Sequence, residues 1–208
     1  MGSESLCRVD LDGTFAEAKA LLETEEVVVR SPFRIKVPFR ELTRVEADAD
    51  ALVLQWPGHR LRLEIGREAQ KWADKIRNPK SVADKIGVKD GHRIALIGTI
   101  AGSFVNDLKR KGADVSTRVR AGCDLIFLAA NRTADMDRLK ALQTSLASDG
   151  AIWVIRPRGS QEISEKHVMA AGKRAGLVDV KVVRFSDTHT AEKLVIPVTR
   201  RGPTPKRG

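Results

Sequence analysis

Tyrosine is missing from this 208-residue chain, and Phe and Trp bring the aromatic content to only 4%. Proteins that grip single-stranded nucleic acid stack bases on aromatic rings set along a basic groove. No aromatic-interleaved basic stripe occurs here, so any nucleic-acid binding is expected to be weak and non-specific. Cysteine is almost as scarce. Cys7 and Cys123 stand one in each half, without neighbours at metal-ligand spacing. This excludes a disulfide framework and suits two reduced thiols used as small apolar residues in a cytoplasmic protein. The histidines His59, His92, His167 and His189 are scattered, so no metal site is expected. No apolar run approaches the roughly 20 residues that a membrane span needs. The opening MGSESLCRVD has no basic region followed by an apolar core, so no secretion signal is expected.

What is present in excess is positive charge, and it is placed unevenly. Residues 1–80 hold 14 basic and 14 acidic side chains, whereas residues 81–208 hold 23 and 13. The whole net charge of +10 therefore lies in the second half. Such asymmetry points to an anionic partner for that half, a small ligand or an acidic protein. Residues 200–208, RRGPTPKRG, read as a basic, disordered tail.

Residues 1–79 read as a β-domain capped by a helix. Cys7–Leu11 alternates and stops at Asp12-Gly13, a hairpin dipeptide. Val27–Val29, Phe33–Val37, Leu42–Val45, Ala51–Trp56 and Leu61–Ile65 are further short runs of strand character. Thr14–Leu22 stays open between strand and helix. Its alanines fall on one side of a strand, yet AEAKALLE also suits a helix. From Gly66 the pattern changes. Ala69, Trp72, Ala73 and Ile76 recur at helical spacing, which makes Trp72 a core residue. Asn78-Pro79 ends that helix and begins a short hinge.

Residues 80–199 alternate strand and helix, the pattern of a parallel sheet. Ser81 caps a short helical turn. Arg93–Ile97 is a strand, and Gly98-Thr99-Ile100-Ala101-Gly102 is a glycine-containing loop into the helix 103–111. Val115 marks a brief extended piece. Asp124–Ala130 is apolar enough for a strand buried on both faces. Thr133 caps a helix striped by Met136, Leu139, Leu142 and Leu146. Ala151–Ile155 is another buried strand, and Ser164 caps a helix to Ala175. Asp179–Phe185 and Lys193–Val198 close the chain as two strands joined by 186–192.

Three resemblances attach to these residues. The strands and capping helix of residues ~5–78 resemble a pleckstrin-homology-like half-barrel (boundaries of this kind hold to a few residues). LASDGAIWVI and the closing strand pair resemble the class I methyltransferase sheet with its final antiparallel hairpin. KWADKIRNPKSVADKIGV, GAIWVIRPRG and GLVDVKVVRFSDTHTAEKLVIPV look like an uncharacterised bacterial family that pairs a small PH-like β-domain with a degenerate methyltransferase-like domain. The expected fold is an α+β half-barrel followed by an α/β Rossmann-like three-layer sandwich with a terminal antiparallel hairpin.

The methyltransferase resemblance would imply an acid before Gly-x-Gly in the first loop and a second acid after the second strand. The chain has neither: the first strand carries no acid, the loop spacing is Gly-x-x-x-Gly, and Ser116-Thr117-Arg118 follows the second piece. Only Thr117 to Cys123 leads on to the next strand, too short for the usual parallel crossover. The expectation is therefore a non-catalytic binding or regulatory protein without a cofactor. The alternative is an S-adenosylmethionine-dependent methyltransferase with an atypical cofactor loop, and a second alternative is a nucleic-acid or ribosome-associated protein. The expected ligand edge joins Gly98, Thr99, Gly102 and Asn131 to Arg156, Arg158, Ser186, Asp187 and His189. Backbone amides at a helix start together with guanidiniums suit a phosphate or carboxylate. No catalytic residue is assigned. Ser186, Asp187 and His189 crowd one turn, where their side chains suit backbone hydrogen bonds better than a relay. The sequence sets no oligomeric state.

Overall fold

The structure is a computed structural model; it describes residues 3–202 and divides after Lys80 into two units. The N-terminal unit is one curled antiparallel sheet of β1 (Ser3–Leu11), β2 (Thr14–Leu22), β3 (Glu26–Arg30), β4 (Arg34–Pro38), β5 (Arg44–Ala47), β6 (Leu52–Trp56) and β7 (His59–Glu64). Its strand order is β4-β3-β2-β1-β7-β6-β5, so pairing of β1 with β7 joins two meanders. Thr14–Leu22 is settled as strand, because the Asp12-Gly13 turn fixes the register Leu11↔Thr14 and carries it on to Ser3↔Leu22. Both turn residues have positive φ, 51° and 87°, as a two-residue hairpin loop requires. In that register Ala18, Ala20 and Leu22 enter the core, and Lys19 pairs with Glu4 at 2.8 Å on the wet face. The alternation outweighs the helical propensity of AEAKALLE.

Helix α1 (Glu68–Arg77) packs on β5 and β6. Its stripe of Ala69, Trp72, Ala73 and Ile76 is buried with Val9, Leu52, Leu54, Leu61 and Leu63. Trp72 is 1% exposed, the largest fully buried side chain of this core.

The C-terminal unit opens with α2 (Val82–Ile86). Ser81 Oγ accepts the Asp84 N–H at 3.1 Å while Asp84 Oδ2 accepts the Ser81 N–H at 2.9 Å, a complete capping box. Lys111 lies 2.5 Å from the other Asp84 oxygen. Lys111 first, then Ser81, holds the Asp84 carboxyl at about 2, below its ordinary 3.8. A lowered carboxyl contributes stability above its unfolded value and loses it as pH falls through the folded one. The Asp84 contribution is therefore present at pH 4 and gone below pH 2. Ser81→Ala should cost about 1 kcal/mol in urea denaturation at neutral pH. An unchanged midpoint would show that the cap contributes nothing.

The second sheet contains β8 (Arg93–Ile97), β9 (Asp114–Ser116), β10 (Cys123–Ala129), β11 (Leu146–Pro157), β12 (Val178–Arg184) and β13 (His189–Val195) in the order β12-β13-β11-β10-β8-β9. β9, β8, β10 and β11 are parallel, and β13 runs antiparallel between β11 and β12. Helix α3 (Gly102–Arg110) packs with α2 over one face, where Phe104, Leu108, Phe127 and Trp153 are buried. Helices α4 (Leu139–Gln143) and α5 (Glu165–Arg174) cover the other, with Ile126, Ile152, Val168 and Leu194. This is a three-layer arrangement of the Rossmann-like kind.

Four details differ from the sequence expectations. The helix expected from Thr133 through Leu146 is a 3-10 turn, Thr133–Arg138, followed by the short α4, because Leu146 pairs with Cys123 as the start of β11. Asp149-Gly150, a turn-favouring dipeptide, lies inside that long strand. The closing hairpin is tighter than expected, since β13 begins at His189 and the connection is only residues 185–188. Third, the connection 117–122 crosses β8 with no helix. It suffices because β9 is three residues long and ends level with Ala95, and six residues reach about 20 Å against roughly 10 Å across two strand spacings. Fourth, the start of the basic tail is ordered: Arg200 donates to the Gly176 carbonyl and Arg201 Nε to the Ile196 carbonyl at 2.9 Å. The rest of that tail, 203–208, lies outside the described residues. Among the described residues no helix is long and apolar enough to cross a membrane.

Candidate functional site

In an open α/β sheet the crevice lies at the carboxyl edge where the strand order reverses. Here the chain goes from β8 to β9 on one side and then to β10 on the other, so the reversal falls between β8 and β10. Gly98, directly after β8, has φ +83°, and a Cβ there would stand 3.1 Å from Ala129 Cβ and 3.2 Å from the Ala129 carbonyl oxygen. Only glycine allows this close pass beside the end of β10. Thr99 and Ile100 follow, and Ala101 opens α3 without a side-chain cap. A Cβ on Gly102 would meet nothing within 4 Å, so the space at the helix start is open. Across the crevice, the Asn131 and Arg132 N–H groups both donate to Asp135 Oδ2, at 2.9 and 3.0 Å. Those two backbone bonds, Arg132 first, keep the Asp135 carboxyl below its ordinary range. They fasten the loop and leave the Asn131 side chain exposed.

The other expected residues gather around the hairpin instead. Arg156 is buried, and its guanidinium reaches Glu192 Oε1 at 2.6 Å through Nε and 2.5 Å through Nη2. Burial pushes the Glu192 carboxyl up, and Arg156 opposes that push. The expectation of Arg156 as an anion anchor is corrected: its charge is committed to β13. Arg158 braces the turn, its N–H donating to the Thr188 carbonyl at 2.8 Å. Ser186 Oγ accepts the His189 N–H at 3.0 Å and the Thr188 N–H at 3.3 Å. Asp187 takes Arg184 at 2.6 Å, while His189 Nδ1 lies 2.9 Å from Thr188 Oγ1. These bonds are those of a self-supporting turn. Gly98 thus sits beside the end of β10, while Arg156, Arg158, Ser186, Asp187 and His189 are held around the base of the hairpin.

A cavity of about 300 Å³ lies between the start of α3 and the hairpin turn, lined by Val82, Ala101, Ser103, Phe104, Asp107, Arg110, Phe185 and Ser186. Of the expected residues it includes Ser186 alone. Phe104 packs edge-on against Phe127 and Phe185, with centroids 5.1 and 4.8 Å apart. Nothing local in the sequence ties Phe104 to Phe185. On the far side of β8 the edge is bare: β9 ends level with Ala95, and its one acid, Asp114, pairs with Arg120 at 2.9 Å. Among the described residues no group of three or more His, Cys, Asp or Glu is placed to hold a metal ion.

No protein-family model matches the sequence, and no curated protein matches it either. Solved structures do. A SAM-dependent methyltransferase from Aquifex aeolicus matches at 17% identity and a TM-score of 0.44, over 54% of this chain and 86% of that one. A Burkholderia thailandensis 1,6-didemethyltoxoflavin-N1-methyltransferase with bound S-adenosylhomocysteine matches at 10% identity and a TM-score of 0.43, over 54% of this chain and 73% of that one. A structure on the PH and C1 domains of the Vav1 exchange factor matches at 12% identity and a TM-score of 0.30, over 39% of this chain and 27% of that one. The methyltransferase matches correct two expectations together, that of a non-catalytic binding protein and that of a chain without a cofactor. What those proteins bind remains theirs. The chain's own strand order, with its terminal antiparallel hairpin, is Rossmann-like.

Proposed function

We propose that the C-terminal unit is an S-adenosylmethionine-dependent methyltransferase domain with an atypical cofactor loop. One observation carries this reading: the strand order. The last strand, β13, is inserted antiparallel between β11 and β12, and the sheet reverses order at a glycine loop beside β10. That is the closing hairpin of the methyltransferase sheet with its ligand crevice at the reversal point. The open space at Gly102 and the close pass at Gly98 fit a ligand laid against backbone. Gly98, Thr99 and Gly102 would meet its amino-acid end through backbone N–H groups, with the Asn131 amide on the β10 side of the loop. The cofactor, when bound, supplies a methyl group on a sulfonium sulfur. No carboxylate follows β9, so ribose binding lacks a charge-assisted bond and the affinity is modest. In the N-terminal unit, the curled sheet closed by α1 is read as a PH-like half-barrel. The positive excess of the second half favours an anionic acceptor or an acidic protein partner.

Titration calorimetry with S-adenosylmethionine and S-adenosylhomocysteine tests the reading on wild type and Gly102→Val. The new side chain meets no protein atom at its Cβ, so the variant should melt within about 1 kcal/mol of wild type. It should also lose the binding heat that wild type shows. Absence of wild-type binding up to about 1 mM, only about −4 kcal/mol, would sink the proposal.

A further inference from the structure

Among the described residues eight large hydrophobic side chains stand exposed, and five of them collect at one end of the second sheet. Val178, Val180 and Val182 lie on β12, Met169 on α5, which packs on β12, and Val198 just after β13. The three valines are 44%, 59% and 50% exposed. β12 is the edge strand, with a strand neighbour on one side only. Exposed apolar edges are templates for another strand, and a lysine or a bulge usually blunts them. Both devices are present: the ladder to β13 passes from Asp179↔Leu194 to Lys181↔Lys193 and skips Val180. The lysine, however, has an acid two residues away.

Residues 178–182 read Val-Asp-Val-Lys-Val. Laid antiparallel on itself about Val180, this segment sets Val178 opposite Val182, Val180 opposite Val180, and Asp179 opposite Lys181 twice. Opposite charges directly across an antiparallel pair attract, and β-branched pairs pack. No ion pair engages Asp179 among the described residues, and Lys181 Nζ donates to a backbone carbonyl, that of Lys85, at 2.8 Å. Each charge also lies near its own kind. After burial, Glu165 and then Asp179 push the Glu192 carboxyl up against the pull of Arg156; after burial, Lys181 pushes the Lys193 ammonium down. A partner strand that brings a lysine to Asp179 and an aspartate to Lys181 relieves both.

The geometry points to a second copy of this chain as the occupant: two β12 edges meet antiparallel about Val180 in a two-fold, self-complementary interface flanked by Met169 and Val198. The same patch serves both copies, as a closed dimer requires.

Sedimentation equilibrium of the full chain across a hundredfold concentration range tests this, with melting curves to confirm folding. Wild type should show a reversible monomer–dimer equilibrium. Asp179→Lys turns two attractions into two repulsions and should weaken the dimer by about tenfold or more. Asp179→Lys with Lys181→Asp restores both pairs in reverse and should recover the wild-type constant within about threefold. Val180→Lys, at the two-fold centre, should leave a folded monomer. A wild type that stays monomeric throughout, an Asp179→Lys dimer of unchanged strength, or a double variant no tighter than the single one would each overturn the proposal.

Discussion

Trp72→Ala is expected to unfold the N-terminal unit or cost it about 3–5 kcal/mol. The indole is the bulkiest fully buried group of that core, 1% exposed, and sits where α1 closes the curled sheet. Removing it leaves a void bounded by strands on one side and a ten-residue helix on the other. A two-layer unit of this size cannot collapse around so large a gap. Trp72→Phe gives a sharper contrast. The Trp72 Nε1 is buried with no hydrogen-bond partner, so the smaller ring also removes an unsatisfied donor. Its cost should fall well below that of alanine, because burying an unpaired N–H is itself unfavourable by about 1–3 kcal/mol. Chemical denaturation of the three proteins, followed by a probe of β-structure, decides the matter. Equal midpoints for wild type and Trp72→Ala would show that the α1 stripe does not hold the unit together.

The N-terminal unit was the more legible half because its signals are local. Alternation in Leu61–Ile65, the Asp12-Gly13 turn and the stripe from Ala69 to Ile76 each act within a few residues. Thr14–Leu22 was ambiguous because its alanines are good in a helix and acceptable in a strand; the hairpin register decided it, and register is a property of two strands. In the second unit the strands β8 and β10 were legible as apolar runs. The early start of β11 was not, since Leu146 continues the spacing of the preceding helix and only its pairing with Cys123 reveals a strand.

Of the candidate site, the glycine loop Gly98–Gly102 follows directly from the strand–loop–helix pattern. Around the hairpin the sequence shows guanidinium and imidazole groups but not what occupies them. Arg156 and Glu192 are 36 residues apart, and only the antiparallel pairing of β11 with β13 brings them into contact. Function was the least legible of all: the acids that the methyltransferase resemblance implies are absent from the first loop and after β9, so the sequence leaned towards a protein without a cofactor.

Arg156→Ala is therefore expected to damage the fold rather than ligand binding. It leaves Glu192, 2% exposed, as a buried carboxylate without its cation, a change that typically costs about 3–5 kcal/mol. The pH dependence identifies the cause. Burial already raises the Glu192 carboxyl above its ordinary 4.5, and Arg156 is the principal force holding it down. Without that force the folded-state value rises further. A raised carboxyl contributes stability that is fully present below its unfolded value and is lost as pH rises through the folded one. The deficit of Arg156→Ala relative to wild type should therefore be largest at neutral pH and shrink as pH falls towards 4.5. Glu192→Gln in the same background should remove most of that pH dependence. The paired change Arg156→Met with Glu192→Leu separates an uncompensated charge from lost packing: it eliminates both charges and should melt close to wild type, since buried pairs replaced together by apolar groups are often neutral. Denaturant unfolding at pH 7 and pH 5 for wild type and the three variants provides the measurement. A deficit for Arg156→Ala that is the same at both values, or a paired variant as unstable as the single one, would mean that Arg156 acts through the bulk of its side chain and that its bond to Glu192 is incidental.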